Sequence, residues 1–198
     1  MNAEDVLSVL RCRAKSGDVE AMWTLGDAYA SGELLVDSNG SLVPIAKNER
    51  LARKWLRLAS NKGCSDAMLA LAGLYLHKAS RRGLNIAMSL EKKAWRLGNS
   101  LAPGNIAITY SFLGRPHLCF KWLEKSYHIT GIGLCLAFAY YAGYGTSRNP
   151  RQALCICRKI IKDDRQCEYD RVEADKLCKA ILSKKPLNIC VPISKTRV

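Results

Sequence analysis

Several things on which function is commonly read are scarce in this 198-residue chain, which holds only three histidines and three phenylalanines. No run approaches the roughly 20 uninterrupted apolar residues of a membrane helix, so no insertion into a membrane is expected. A secretory pattern is missing too. Glu4 and Asp5 follow Met1 closely, and the apolar run from Val6 to Leu10 meets Arg11, Arg13 and Lys15 without a small-residue cleavage site. The expected location is the cytoplasm. Neither an H-E-x-x-H nor a C-x-x-C pattern occurs, so no metal and no cofactor are expected. The nine cysteines lack the regular pairing of a disulfide framework and read mostly as reduced, small core residues.

Acid is also short. Seventeen Asp and Glu stand against 31 Lys and Arg, a net charge of +14. The excess is local: residues 47–96 hold twelve basic and three acidic side chains, whereas residues 1–30 hold three and five. Net charge informs association rather than fold. An acidic protein surface is the first partner it suggests, and nucleic acid the second. What is plentiful is apolar residues, 48% of the chain, enough for a real core and too many for disorder.

The organising feature is a repeat. Gly17, Ala21, Leu25, Gly26 and Tyr29 line up without gaps with Gly63, Ala67, Leu71, Ala72 and Tyr75, and again with Gly98, Ala102, Ile106, Ala107 and Tyr110. A fourth copy puts His128 in the glycine position and keeps Leu136, Ala137 and Tyr140. Offsets of 4, 8, 9 and 12 share one face of a helix, with a small residue where a neighbouring helix must come close. A second helix precedes each new unit, carrying Ala52 and Ala59 before Gly63 and Ala87 and Ala94 before Gly98. Asn48 and Asn149 read as its N-caps, and Pro116 and Pro150 as first-turn prolines.

These residues, and above all Tyr140-Tyr-Ala-Gly143-Tyr-Gly145-Thr-Ser-Arg-Asn149-Pro-Arg-Gln-Ala153, resemble Sel1-like repeats, relatives of the tetratricopeptide repeats. The resemblance spans residues 17–162 and implies an all-α, right-handed α-solenoid of about four helical hairpins without a sheet. The repeats read as 17–62, 63–97, 98–127 and 128–162 of one domain, 1–183. Capping helices are expected at 3–15 and 166–183, and a basic, proline-containing tail at 184–198. About ten extra residues interrupt the first repeat between Gly32 and Lys47.

The resemblance further implies a non-enzymatic protein-binding module whose first helices line a groove. Positions that vary between the copies mark the groove surface: Trp23, Asp27, Leu69, Ile108, Phe138 and Tyr141. Arg50, Arg53, Lys54 and Arg57 form one helical face, Lys92, Lys93 and Arg96 another, and Arg81-Arg82 sit in the turn between. From these, Arg53, Arg57, Lys92, Lys93 and Arg96 are taken as the charged steering face. An immunity or anti-effector protein that neutralises a cognate toxin is the leading role, and an adaptor, scaffold or signalling regulator the alternative. A nucleic-acid-binding repeat ranks lower because no RNA-binding signature or two-residue base-reading code occurs, and a thiol hydrolase using Cys119 and His117 because Cys119 aligns with the small Ala52 and Ala87. Cys155 and Cys157 lie about 200° apart on a helix and cannot readily clasp one metal. Gly143-Tyr-Gly145 lacks the Lys-Ser or Lys-Thr that a phosphate loop needs.

Overall fold

The computed structural model describes residues 3–32, 35–36, 42–43, 45–77 and 79–183. Among them lie ten helices: α1 (Ala3–Lys15), α2 (Val19–Ser31), α3 (Glu49–Asn61), α4 (Ser65–Leu76), α5 (Arg81–Arg96), α6 (Ala102–Phe112), α7 (Pro116–Thr130), α8 (Leu134–Ala142), α9 (Pro150–Lys162) and α10 (Glu168–Ser183). The tail, 184–198, lies outside the described residues. Four hairpins follow from the order: α2 with α3, α4 with α5, α6 with α7, and α8 with α9, each pair in extensive contact. The chain divides into two compact units, Met1–Asn99 and Ser100–Val198.

The helices begin where polar side chains can take up free backbone N–H groups. Asp18 Oδ1 accepts from the amides of Glu20 and Ala21 at 3.0 and 3.1 Å. Asn48 Oδ1 accepts from Leu51 at 3.0 Å, and Asn149 Oδ1 from Gln152 at 3.1 Å. Ser80 Oγ accepts from Gly83 at 3.1 Å, so α5 opens at Arg81 and the expected turn position of Arg81-Arg82 is corrected to the first helical turn. The repeat-opening glycines Gly17, Gly63 and Gly98 share φ of 103°, 93° and 85°, a region costly for residues with a Cβ. In the fourth copy the glycine has moved. His128 lies in the last turn of α7, and Gly131, at φ 74°, makes the turn.

In the first unit the core runs through Ala21, Leu25 and Tyr29 of α2, Ala52, Trp55, Leu56 and Ala59 of α3, and Ala67 and Leu71 of α4. Gly26 lets α2 and α3 touch: a Cβ there would lie 2.6 Å from Leu56 Cγ and 3.0 Å from its backbone nitrogen. The second unit is built alike from Cys119, Phe120 and Leu123 of α7, Leu136, Ala137 and Phe138 of α8, Ile156, Cys157 and Ile160 of α9, and Ala174, Leu177 and Cys178 of α10. Within it α10 packs against both α8 and α9, as α4 packs against α2 and α3 in the first unit.

The extra residues of the first repeat correct the expectation of a sheet-free chain. Leu35–Val36 (β1) and Leu42–Val43 (β2) form a two-residue antiparallel ladder with Leu35 opposite Val43 and Val36 opposite Leu42. The hairpin that receives the insertion is nevertheless closed in the same way as the uninterrupted one. The Asn48 amide donates to the Tyr29 carbonyl at 2.8 Å, and the Asn149 amide to the Tyr140 carbonyl at 2.7 Å.

Candidate interaction surfaces

On the first helix of each hairpin, the side chains that vary between copies meet different fates. Trp23 and Asp27 are one turn apart on α2. Trp23 is half-buried against the first unit's core, and Asp27 is exposed. Leu69 takes the place of Trp23 on the neighbouring α4 and is half-buried. In the second unit Ile108 of α6 is 39% exposed, an open aliphatic side chain. Tyr141 of α8 leans on the core, and the Arg148 guanidinium stacks 5.3 Å from its ring centre while donating from Nε to its carbonyl at 3.0 Å. Phe138 corrects its expected role as a groove anchor. It is only 5% exposed and shares the core with Ala174, Leu177 and Cys178 of the closing helix α10.

The second helices carry the charge. Between them α3, α5, α7 and α9 hold fifteen Lys and Arg and three acids, while α2, α4, α6 and α8 hold three acids and no Lys or Arg. On α3, Arg50, Lys54 and Arg57 are exposed. Arg53 departs from this face: it pairs with Glu49, lies 5.5 Å from the centre of the Tyr75 ring on α4, and keeps 28% of its side chain exposed. It is better placed to pin α3 to α4 than to steer a partner. On α5, Lys93 and Arg96 are exposed and Lys92 is half-buried. The sequence reading passed over α9. Its Arg151, Arg158, Lys159 and Lys162 are all exposed, and the available signal was a 13-residue helix with four cations and no acid.

The cysteine chemistry considered above finds no support. Cys119 is 1% exposed, and burial, with Cys135 nearby, pushes its thiol up to about 12, far from a usable thiolate. The His117 ring is instead 3.2 Å from the Gly145 carbonyl through Nδ1. Gly145 belongs to that contact: at φ 73° it also leaves no room for a Cβ, which would fall 2.1 Å from the Pro116 carbonyl oxygen. Burial pushes Cys157 up to about 12 as well, while Cys155, two residues earlier, is exposed. Among the described residues no cluster of three His, Cys, Asp or Glu could hold a metal ion, and no helix is long and apolar enough to cross a membrane.

No family model matches the chain, and no curated protein sequence does. Solved structures do. A Sel1 repeat protein from Oxalobacter formigenes aligns over 95% of this chain and 71% of its own, at 20% identity and a TM-score of 0.71. A protective antigen present in uropathogenic Escherichia coli strains, displaying an SLR fold, aligns over 90% of this chain at 19% identity and a TM-score of 0.63. The chain spans 40% of the length of that antigen.

Proposed function

From a chain that has the Sel1-like repeat fold, an all-α solenoid of helical hairpins, we propose a non-catalytic module that binds an acidic partner protein in the cytoplasm. The observation that carries this reading is the division of charge between first and second helices. Helical repeats need apolar inner faces, but nothing in their packing requires fifteen cations against three acids on the second helices. An excess of one sign raises association rates with surfaces of the opposite sign and discourages partners of like charge. The exposed Asp27 and Ile108 and the half-buried Trp23, Leu69 and Tyr141 of the first helices are proposed contacts, with Arg57, Lys93 and Arg96 steering. The partner proposed is a toxin or effector that the chain neutralises in a bacterial cell, an assignment that rests on the resemblance of the repeats.

The test is affinity capture on the purified chain from the native cell, with the retained material identified by mass spectrometry and nuclease digestion. The expected result is one stoichiometric acidic protein whose release follows salt. Recovery of nucleic acid alone, released by salt, overturns the reading. Co-expression that fails to relieve the captured protein's toxicity removes the neutralising role and leaves the binding role.

A further inference from the structure

The outer face of α9 differs from every other charged surface in the second unit. Arg151, Leu154, Cys155, Arg158, Lys159 and Lys162 recur at helical spacing and line an open recess along the helix. The opposite face, Ala153, Ile156, Cys157 and Ile160, is buried, so α9 is held firmly from behind. Four of the six acids that follow α9 between Asp163 and Asp175 are already engaged. Asp163 pairs with Arg165, Asp164 with Arg171, Glu173 with Lys176 and Asp175 with Lys179. None of the four cations of α9 joins an ion pair among the described residues. Arg158 and Lys162 are four residues apart, a spacing at which like charges destabilise a helix. The fold thus carries an unrelieved concentration of positive charge at one place.

Resting on the acidic-partner reading, we infer that this stripe is a docking site for an acidic amphipathic helix of the partner protein. Its carboxylates meet Arg151, Arg158, Lys159 and Lys162, and an aliphatic side chain seats on Leu154 beside Cys155. The eleven steps from Arg151 to Lys162 span about 16 Å, the length of three turns of a helix lying alongside. The mixed character of the stripe favours protein over nucleic acid: a phosphodiester strand matches the cations but offers no side chain for the half-buried Leu154 between them. The register also recurs in the first unit, where Arg50, Lys54, Arg57 and Leu58 line a recess on α3. There Arg53 stands in place of Leu154 and is committed to Glu49 and Tyr75, so α3 serves as the internal control.

The experiment measures fluorescence anisotropy of a labelled 16-residue helical peptide with Glu flanking a leucine stripe, titrated with the full chain. Arg158→Glu/Lys159→Glu is expected to weaken binding by about tenfold or more, and Arg50→Glu/Lys54→Glu by less than about twofold. Replacing the peptide leucines by serine should also weaken it. Arg158→Gln, which relieves the repulsion with Lys162, is expected to raise the thermal midpoint while weakening binding, so loss of binding and loss of fold are read apart. Equal losses from both double variants would remove the stripe and leave the acidic-partner reading standing. A 16-nucleotide single-stranded DNA that displaces the peptide from the wild-type chain at lower concentration would remove both. Failure of the peptide to bind at all would remove the stripe, and the capture experiment would then decide the reading alone.

Discussion

First and second helices of the same hairpins are nearly opposite in composition, and their neighbours explain why. Within the first unit α2 touches α1, α3 and α4, and within the second α8 touches α7, α9 and α10. A helix surrounded in this way has little face left for a charge and reads as apolar nearly all round. A second helix such as α3 lies against first helices on one side and solvent on the other. Ala52, Trp55, Leu56 and Ala59 form its inner stripe, and Arg50, Lys54 and Arg57 its outer one. Packing therefore dictates where charge can be, but not its sign. Solvated faces of both signs would serve the fold equally well, so the shortage of acid on α3, α5, α7 and α9 is the informative part of the contrast.

The largest break of that contrast is expected at Phe138, which belongs to a first helix and lies in the core. Phe138→Ala should cost about 3–5 kcal/mol in thermal or urea unfolding; a loss within about 0.5 kcal/mol would return it to the surface. Next is Gly26, where the two helix types touch. Gly26→Val should cost about 1–3 kcal/mol, because Leu56 and its backbone must yield to the new side chain. Smaller again are the caps of the second helices: Asn48→Ala or Asn149→Ala should each cost about 1 kcal/mol. Reversing the outer charges with Arg50→Glu/Arg57→Glu should move stability by no more than about 0.5 kcal/mol.

The two buried thiols leave stability unchanged at neutral pH. Cys119 and Cys157 have folded-state values near 12 against an ordinary 9.0, so their buried neutral thiols contribute stability below pH 9 that is lost as pH rises toward 12. At pH 8 iodoacetamide should label the outward Cys155 and spare Cys157, read by mass spectrometry of the peptides. Equal labelling of the two would contradict the inward and outward faces of α9.

Most of the fold was legible in the chain. The repeated Gly, Ala, Leu and Tyr spacing marks the first helices, and Asn48, Asn149 and Pro116 mark where second helices begin, because capping is local chemistry within a few residues. The surfaces were less legible, because they depend on what packs against a repeat. The position of Asp27 and Ile108 is open in two copies, yet its counterpart Phe138 shares a core with α10, which a comparison of copies cannot register. Arg53 reads as one more cation of the α3 face until Tyr75 and Glu49 are seen to hold it. The α9 stripe was missed because search for repeats rewards what is shared, whereas its distinction is four exposed cations on one helix that form no ion pair among the described residues.

The bond between the Asn48 amide and the Tyr29 carbonyl has a consequence for how such a chain can diversify. Because the same clasp closes the short connection before Asn149, closing this hairpin does not depend on how many residues separate Gly32 from Ile45, where the chain rejoins the core. Doubling the length of a flexible loop costs only about 0.6 kcal/mol in closure entropy. A lineage, or an engineer, could exchange the residues between Gly32 and Ile45 for another peptide and keep the scaffold, provided that Ile45 still returns to the first unit's core.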